Sequence, residues 1–379
     1  MSALNVISAD SHILEPANFW VDRVDRKFRD TAPHIADRTD GKPGYCLIAP
    51  SIDPFPIGGA YAAGASNEDL GRHMAKGYET APAGGWDPAA RLKDQDQDNV
   101  RAEVLYATLS MPLFRMTDGD MQRECFRVYN DWLAEFCAHD PKRLIGNGLI
   151  SLEDIPLAVK ELARCARLGM KGVMIWSSAP EDRPYDTPIY DPFWAAAEAH
   201  DMPVSMHAVT GRSRESTLIP DPVTGFLRSV AARSIMEQAV LGSHEIQRTL
   251  MSFIFGGVFA RFPKLKVVSV ELNIGWLPFF VRACDKGWSK YKALVPNATP
   301  ESPSFYMKRQ FFATFENDPI GMAAYRFYGA DNYMWASDFP HRNTTWPNSH
   351  KVIAENFADI PDDVTEKIVH GNVSRLFGL

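Results

Sequence analysis

Eight short runs of apolar and β-branched residues recur along the chain. They are Asn5–Ala9, Glu103–Ala107, Leu144–Ile150, Gly172–Trp176, Pro203–Met206, Leu265–Val270, Phe311–Phe315 and Tyr333–Ala336. Longer segments with apolar residues at helical spacing separate most of them: Met121–Ala138, Pro156–Leu168, Asp191–His200, Ser243–Arg261, Leu277–Tyr291, Gly321–Tyr328 and Asn348–Phe357. Strands covered by helices on their outer face read as continuous apolar runs rather than alternating ones. Eight strand–helix units fit a closed α/β barrel, the (β/α)8 TIM-like fold, better than an open sheet. The spacing predicts one domain over residues 1–379, with Asp362–Phe377 as a closing helix.

One stretch breaks the rhythm. Residues 18–91 are rich in Gly and Pro and lie between the first and second runs. That is too long for a βα loop, so it reads as an inserted lid or oligomer contact. The polar stretch 208–222 after the fifth run is a second long loop. Both leave the strand ends where barrel active sites are built.

Those strand ends carry the chemistry. The first run leads into Asp10-Ser11-His12 and then Glu15, the fifth into His207, the sixth into Glu271, and the eighth into Asp338 and His341. Residues i and i+2 of a strand share a face, so Asp10 and His12 can chelate one ion while Ser11 points away. Imidazole and carboxylate are the ligands common to Zn, Mn and Fe. Each residue also has a bland reading: a capped turn for Asp10 or Asp338, a satisfied core histidine for His207, a solvated helix N-cap neighbour for Glu271, plain surface for His341. Independent accidents do not predict that all fall at strand C-termini. Thr108–Ser110 and Glu316–Asn317, at two other strand ends, read as substrate contacts.

Composition excludes other classes. Lys and Arg number 40 against 47 Asp and Glu, a net charge of -7 with no long basic run, which disfavours nucleic acid and anionic membranes as partners. No apolar stretch approaches the roughly 20 residues of a membrane helix, and the first residues lack a signal-peptide pattern. The five cysteines form no CxxC pair, which suits a reducing cytoplasm and not a disulfide framework. Neither a phosphate loop nor a GxSxG elbow is present.

Five segments resemble a known family: ADSHILEP, MHAVTG, GGVFARFPKLKVVSVELNIGWLPFFVRACD, MWASDFPH and HGNVSRLFGL. Over nearly its whole length the chain is similar to the amidohydrolase-2 branch of the amidohydrolase superfamily, related to aminocarboxymuconate-semialdehyde and aromatic-acid decarboxylases. The resemblance implies a distorted barrel with a divalent metal on Asp10, His12, His207 and Asp338. Three departures stand out. Hydrolytic relatives carry HxH and decarboxylases often Glu where this chain has Asp10. Glu271 stands where many relatives have a catalytic histidine in a GHxGExxP run. The fourth strand ends in Trp176-Ser177 with Lys171 at its start, so no carbamylated-lysine bridge is expected.

The expected function is hydrolysis or decarboxylation of a small organic acid or amide. Asp338, Glu271 and His341 would be the acid–base groups, and Arg342 and Asn317 the substrate contacts. Zinc is the expected ion. The alternative is manganese or iron, up to a dinuclear oxygenase with Glu15, Glu271 and His341 as second-ion ligands. A non-catalytic subunit of a hetero-oligomer is the third reading. The aromatic-rich helix 276–291 and the insertion suggest a homo-oligomer.

Overall fold

The computed structural model describes residues 5–38, 41–58, 60–66, 68–221, 227–295 and 299–379. Its centre is a barrel of eight parallel strands, each paired with its successor in the chain: β1 (Val6–His12), β2 (Val100–Tyr106), β3 (Leu144–Leu149), β4 (Gly172–Ile175), β5 (Val204–His207), β6 (Val267–Val270), β7 (Phe311–Phe315) and β8 (Tyr333–Trp335). All eight expected runs form these strands. Nearly every strand residue is buried, as the unbroken apolar runs require when helices cover the outside.

Local sequence starts the covering helices where they start. Asp87, Asp118, Asp154, Ser302 and Asp318 each accept a backbone N–H of the first helical turn. Proline follows within the first two helical positions in four of these helices, where its missing N–H costs nothing. Two helices differ from expectation. The segment expected at Ser243–Arg261 begins earlier and splits into Ile235–Phe255 and Val258–Arg261, because Gly257 takes a left-handed φ of 77° between them. The tail is Asp362–Glu366, a π-helical turn Lys367–Gly371 and Asn372–Phe377, rather than one regular helix. The Asn372 amide donates to the Ala330 and Tyr333 carbonyls (2.6 and 2.7 Å), tying that tail under the barrel.

The insertion has structure of its own. It holds a helix Phe19–Arg23, a small antiparallel sheet of His34–Asp37, Tyr45–Ile48 and Phe55–Pro56, and a helix Leu70–Lys76. It ends where helix Pro88–Asp98 begins, so the expected boundary at Arg91 falls inside a barrel helix. The insertion sits against the outlet of β1: the Tyr78 hydroxyl donates to the Glu15 carbonyl (2.6 Å) and Leu14 N–H to the Gly85 carbonyl (2.8 Å).

β1 and β8 are the two ends of the strand order. Two backbone bonds join them at their outlets, Asp338 N–H to the Asp10 carbonyl (3.0 Å) and His12 N–H to the Phe339 carbonyl (2.7 Å). A fully buried guanidinium reinforces this seam. Arg91 donates to the carbonyls of His12 (2.7 Å), Gly84 (3.2 Å) and Phe339 (3.3 Å), while its Nε pairs with Glu103 at 2.5 Å. Hydroxyls of Ser8, Ser11 and Ser337 form a further chain across it.

Candidate metal centre

β1 does not run straight into the site. Ser8 pairs with Glu103 and Ser11 with Leu105, so Ala9 and Asp10 together oppose Val104. Such a bulge bends the strand and re-aims a side chain. Here it turns Asp10 into the barrel mouth beside His12. At the other outlets, Glu271 and Asp338 hold left-handed backbones (φ 60° and 58°), each costing about 1–3 kcal/mol that the surrounding structure must offset.

Asp10, His12, His207 and Asp338 converge there and are almost fully buried. The ligand-type atoms of Asp10, His12 and His207 lie within 4.8 Å of one another, as do those of His12, Asp338 and His341. His12 Nε2 is 3.4 Å from both Asp10 Oδ1 and Asp338 Oδ1, and His207 Nε2 is 3.7 Å from Asp10 Oδ1.

The tautomers decide what this arrangement can hold. His12 Nδ1 faces the Ala107 carbonyl at 2.8 Å and His207 Nδ1 the Ala208 carbonyl at 3.1 Å. A carbonyl oxygen only accepts, so each Nδ1 carries the hydrogen and each Nε2 presents a lone pair. Those two lone pairs face each other across 3.2 Å. The four carboxylate oxygens of Asp10 and Asp338 are buried without a hydrogen-bond partner. Buried lone pairs and orphaned anionic oxygens at one point are costly unless a cation lies among them. The donor set therefore fits a divalent metal, and the carbonyl contacts at Nδ1 are the supports that orient ligand histidines.

Titration follows the same charge imbalance. Burial pushes the Asp10 carboxyl up, but the close approach of the His12 and His207 rings outweighs it and holds it far below the usual range. Burial, with the Glu271 and Asp10 charges, pushes Asp338 well above it. Burial depresses His12 to about 4, aided by the His341 charge. Burial also acts to lower His207, yet the nearby Asp10 and Glu271 carboxylates raise it to about 9.

The other expected residues divide. His341 stacks on His12 (centroids 3.8 Å apart), with Nδ1 3.0 Å from Asp338 Oδ1 and Nε2 3.3 Å from the Thr108 hydroxyl. Glu271 Oε2 lies 3.7 Å from His207 Nδ1, behind the ring and away from the lone pair, and is 28% exposed at the mouth. Glu15 does not face an ion. Its two oxygens accept the backbone N–H groups of Leu109 and Ser110, both at 2.8 Å, because its side chain turns to clamp the loop after β2. Asn317 and Arg342 are exposed at the outlets of β7 and β8.

Glu316, read from sequence as a substrate contact, lies among these acids. Burial, with the charges of Asp338, Glu271 and Asp10, pushes its carboxyl well up, and its Oε1 has no partner. The sequence signal was its place at a strand outlet. Sequence reasoning missed Arg91, which looks like an ordinary helix cation until its seam contacts are seen.

Three comparisons bear on this site. The family model described as Amidohydrolase matches residues 17–379, a span that starts beyond Asp10 and His12. The chain is 23% identical over 301 residues to 2-amino-3-carboxymuconate-6-semialdehyde decarboxylase of Dictyostelium discoideum, covering 78% of this chain and 77% of that one. It is 25% identical over 313 residues to gamma-resorcylate decarboxylase of Polaromonas sp., covering 76% and 86%. It also superposes on 5-carboxyvanillate decarboxylase of Novosphingobium aromaticivorans, complexed with manganese and 4-hydroxy-3-methoxy-5-nitrobenzoic acid. That match has a TM-score of 0.66 and 22% identity, and covers 100% of this chain and 97% of the other.

Proposed function

The chain belongs to the Amidohydrolase family, and from that premise we propose that it is a metal-dependent decarboxylase of a small aromatic acid. The observation that carries the reading is the pair of Nε2 lone pairs 3.2 Å apart, ringed by four orphaned oxygens of Asp10 and Asp338. The similarity to decarboxylases of carboxylated aromatic and muconate substrates supports the choice of reaction.

When bound, the divalent cation supplies positive charge to a substrate oxygen and so stabilises charge that develops in the reaction. The chain's own residues do the rest. As the bond from ring carbon to carboxylate breaks, carbon dioxide leaves and the electron pair stays on the ring. Asp338, at the metal, delivers the proton that forms the new C–H bond. His341 relays the replacement proton: Nε2, 3.3 Å from the Thr108 hydroxyl, takes one up as Nδ1, 3.0 Å from Asp338, gives one over. Glu271 orients the substrate at the mouth, and Arg342 and Asn317 bind its polar edge at the rim.

We take zinc as the first expectation for the ion and manganese as the second, since a nitrogen–oxygen donor set suits both. A dinuclear arrangement is not favoured: the two candidate ligand groups share His12, and one Nε2 lone pair serves one ion. No helix among the described residues is long and apolar enough to cross a membrane. We expect the protein to act in the cytoplasm as a homo-oligomer with the insertion at the contact. The test joins elemental analysis to carbon dioxide release from gamma-resorcylate and 5-carboxyvanillate, with zinc- and manganese-loaded protein. Metal-dependent release supports decarboxylation. Release of neither, with amide hydrolysis instead, overturns it.

A further inference from the structure

Helix Pro319–Tyr328, which joins β7 to β8, is apolar nearly all round. Its inner face buries Gly321, Met322 and Tyr328 against the barrel. Its outer face carries Ile320, Ala323 and Phe327, with Ile320 72% and Phe327 85% exposed, and Arg326 is its only charge. A helix without a polar face is one that is covered on both sides. The three outer residues follow the i, i+3, i+7 spacing of a heptad seam, and the small Ala323 in the middle lets a second helix approach closely.

Phe279 extends this ridge. It is 77% exposed in the first turn of helix Leu277–Tyr291. Asp318 ties the starts of the two helices together by accepting the N–H groups of Ile274 (2.9 Å), Gly275 (2.7 Å) and Gly321 (2.7 Å), so Phe279 and Ile320 stand at the same end. Phe279, Ile320 and Phe327 together expose about 400 Å². Scattered surface residues do not give apolar area of that extent on one wall. It is about half of the ~800 Å² that each partner buries in a standard interface.

The flanking charges say what covers the ridge. Helices between successive barrel strands follow chain order around the outside. The apolar helix therefore has Leu277–Tyr291 on one side and the segment after β8 on the other, where Phe357 packs on Phe315, the last residue of β7 (centroids 6.2 Å apart). The first flank is basic: Arg282, Lys286 and Lys290 are exposed, and the one acid of that helix, Asp285, accepts the Ser304 N–H (2.9 Å). The second is acidic: Asp359, Asp362, Asp363 and Glu366 are exposed, while the nearby Lys351 and Lys367 are held by Glu355 and Asp331. A ridge with opposite charges on its two sides is complementary to itself.

We propose that this face binds a second copy of the chain about a two-fold axis that runs along helix Pro319–Tyr328. Ile320, Ala323 and Phe327 then meet their own copies, and the basic helix of each copy lies over the acidic segment of the other. A two-fold axis across the helix would set like charges together, which rules that orientation out. The contact adds to the one expected at the insertion and makes no use of the metal or the reaction.

The test is sedimentation velocity of the full chain at micromolar concentration. The wild type is expected to associate. Phe327→Glu is expected to halve the mass of the assembly and to weaken self-association by about tenfold or more, with metal content unchanged. Charge reversal reads the orientation: Lys286→Glu with Lys290→Glu, or Asp359→Lys with Glu366→Lys, should each weaken association, and all four together should restore it. These exposed positions keep the proposal falsifiable should Phe327→Glu fail to fold. A monomeric wild type, an assembly that folded Phe327→Glu leaves intact, or a fourfold variant that associates no better than either pair overturns the proposal.

Discussion

Replacing Arg91 with methionine tests whether the seam governs the metal centre. Methionine keeps most of the apolar stem and deletes the guanidinium, which is 0% exposed and faces a Glu103 that is 4% exposed. Breaking one side of a buried ion pair costs about 3–5 kcal/mol, because the remaining charge stays buried. Glu103 retains the Gln95 amide at 2.7 Å, which places the expected loss near ~3 kcal/mol. The second effect is on the ion. His12 and the residue after Asp338 lose the donor shared by their carbonyls, and loss of such support lowers metal affinity about 10–100-fold. Denaturant unfolding and metal titration of the stripped protein read the two effects separately. Arg91→Met with Glu103→Gln should recover much of the stability, since no charge is then stranded, but none of the affinity. A single variant that loses under ~1 kcal/mol and binds metal as wild type would refute the reasoning.

Three further outcomes are expected. Chelation should lower the melting temperature and abolish turnover together, with stabilisation of about 2.7 kcal/mol returning when the ion is supplied at 100 times its dissociation constant, measured by thermal unfolding. Asp338→Asn should cut kcat by about 10²–10⁴, the range for loss of a positioned acid, whereas Glu15→Gln should reduce stability without changing metal content. Burial raises the Asp94 carboxyl from 3.8 to about 6, so the folded state holds that proton more tightly than the unfolded state does. Its contribution to stability is full below 3.8 and lost as pH rises through about 6. Melting curves of Asp94→Asn between pH 4 and 7 should therefore show a smaller decline with rising pH than those of the wild type.

The barrel was legible because each strand is buried on both faces, which writes an apolar run into the sequence whatever the tertiary detail. The strand-end position of Asp10, His12, His207, Asp338 and His341 was legible for a related reason: outlets follow the runs directly. What the residues did there was not. Glu15 has the chemistry of a ligand, but its direction depends on where Leu109 and Ser110 present their N–H groups, 94 and 95 residues away. The bulge that turns Asp10 depends on pairing with β2, which no spacing within β1 reveals. The role of Arg91 depends on contacts between segments far apart in sequence. Those contacts leave no periodic trace.

The seam has a consequence for how the protein is made. Ser11 and Ser337, which meet across it, lie 326 positions apart. Half of the proposed ligand set comes from β1 and its last member from the outlet of β8, so on that assignment a growing chain has no complete site until its final strand has emerged and docked. The ion would then act as a rivet set at the last joint. Metal uptake during refolding should accordingly trail the formation of the other strand pairs, and a chain that has captured its ion is one whose cylinder has already shut.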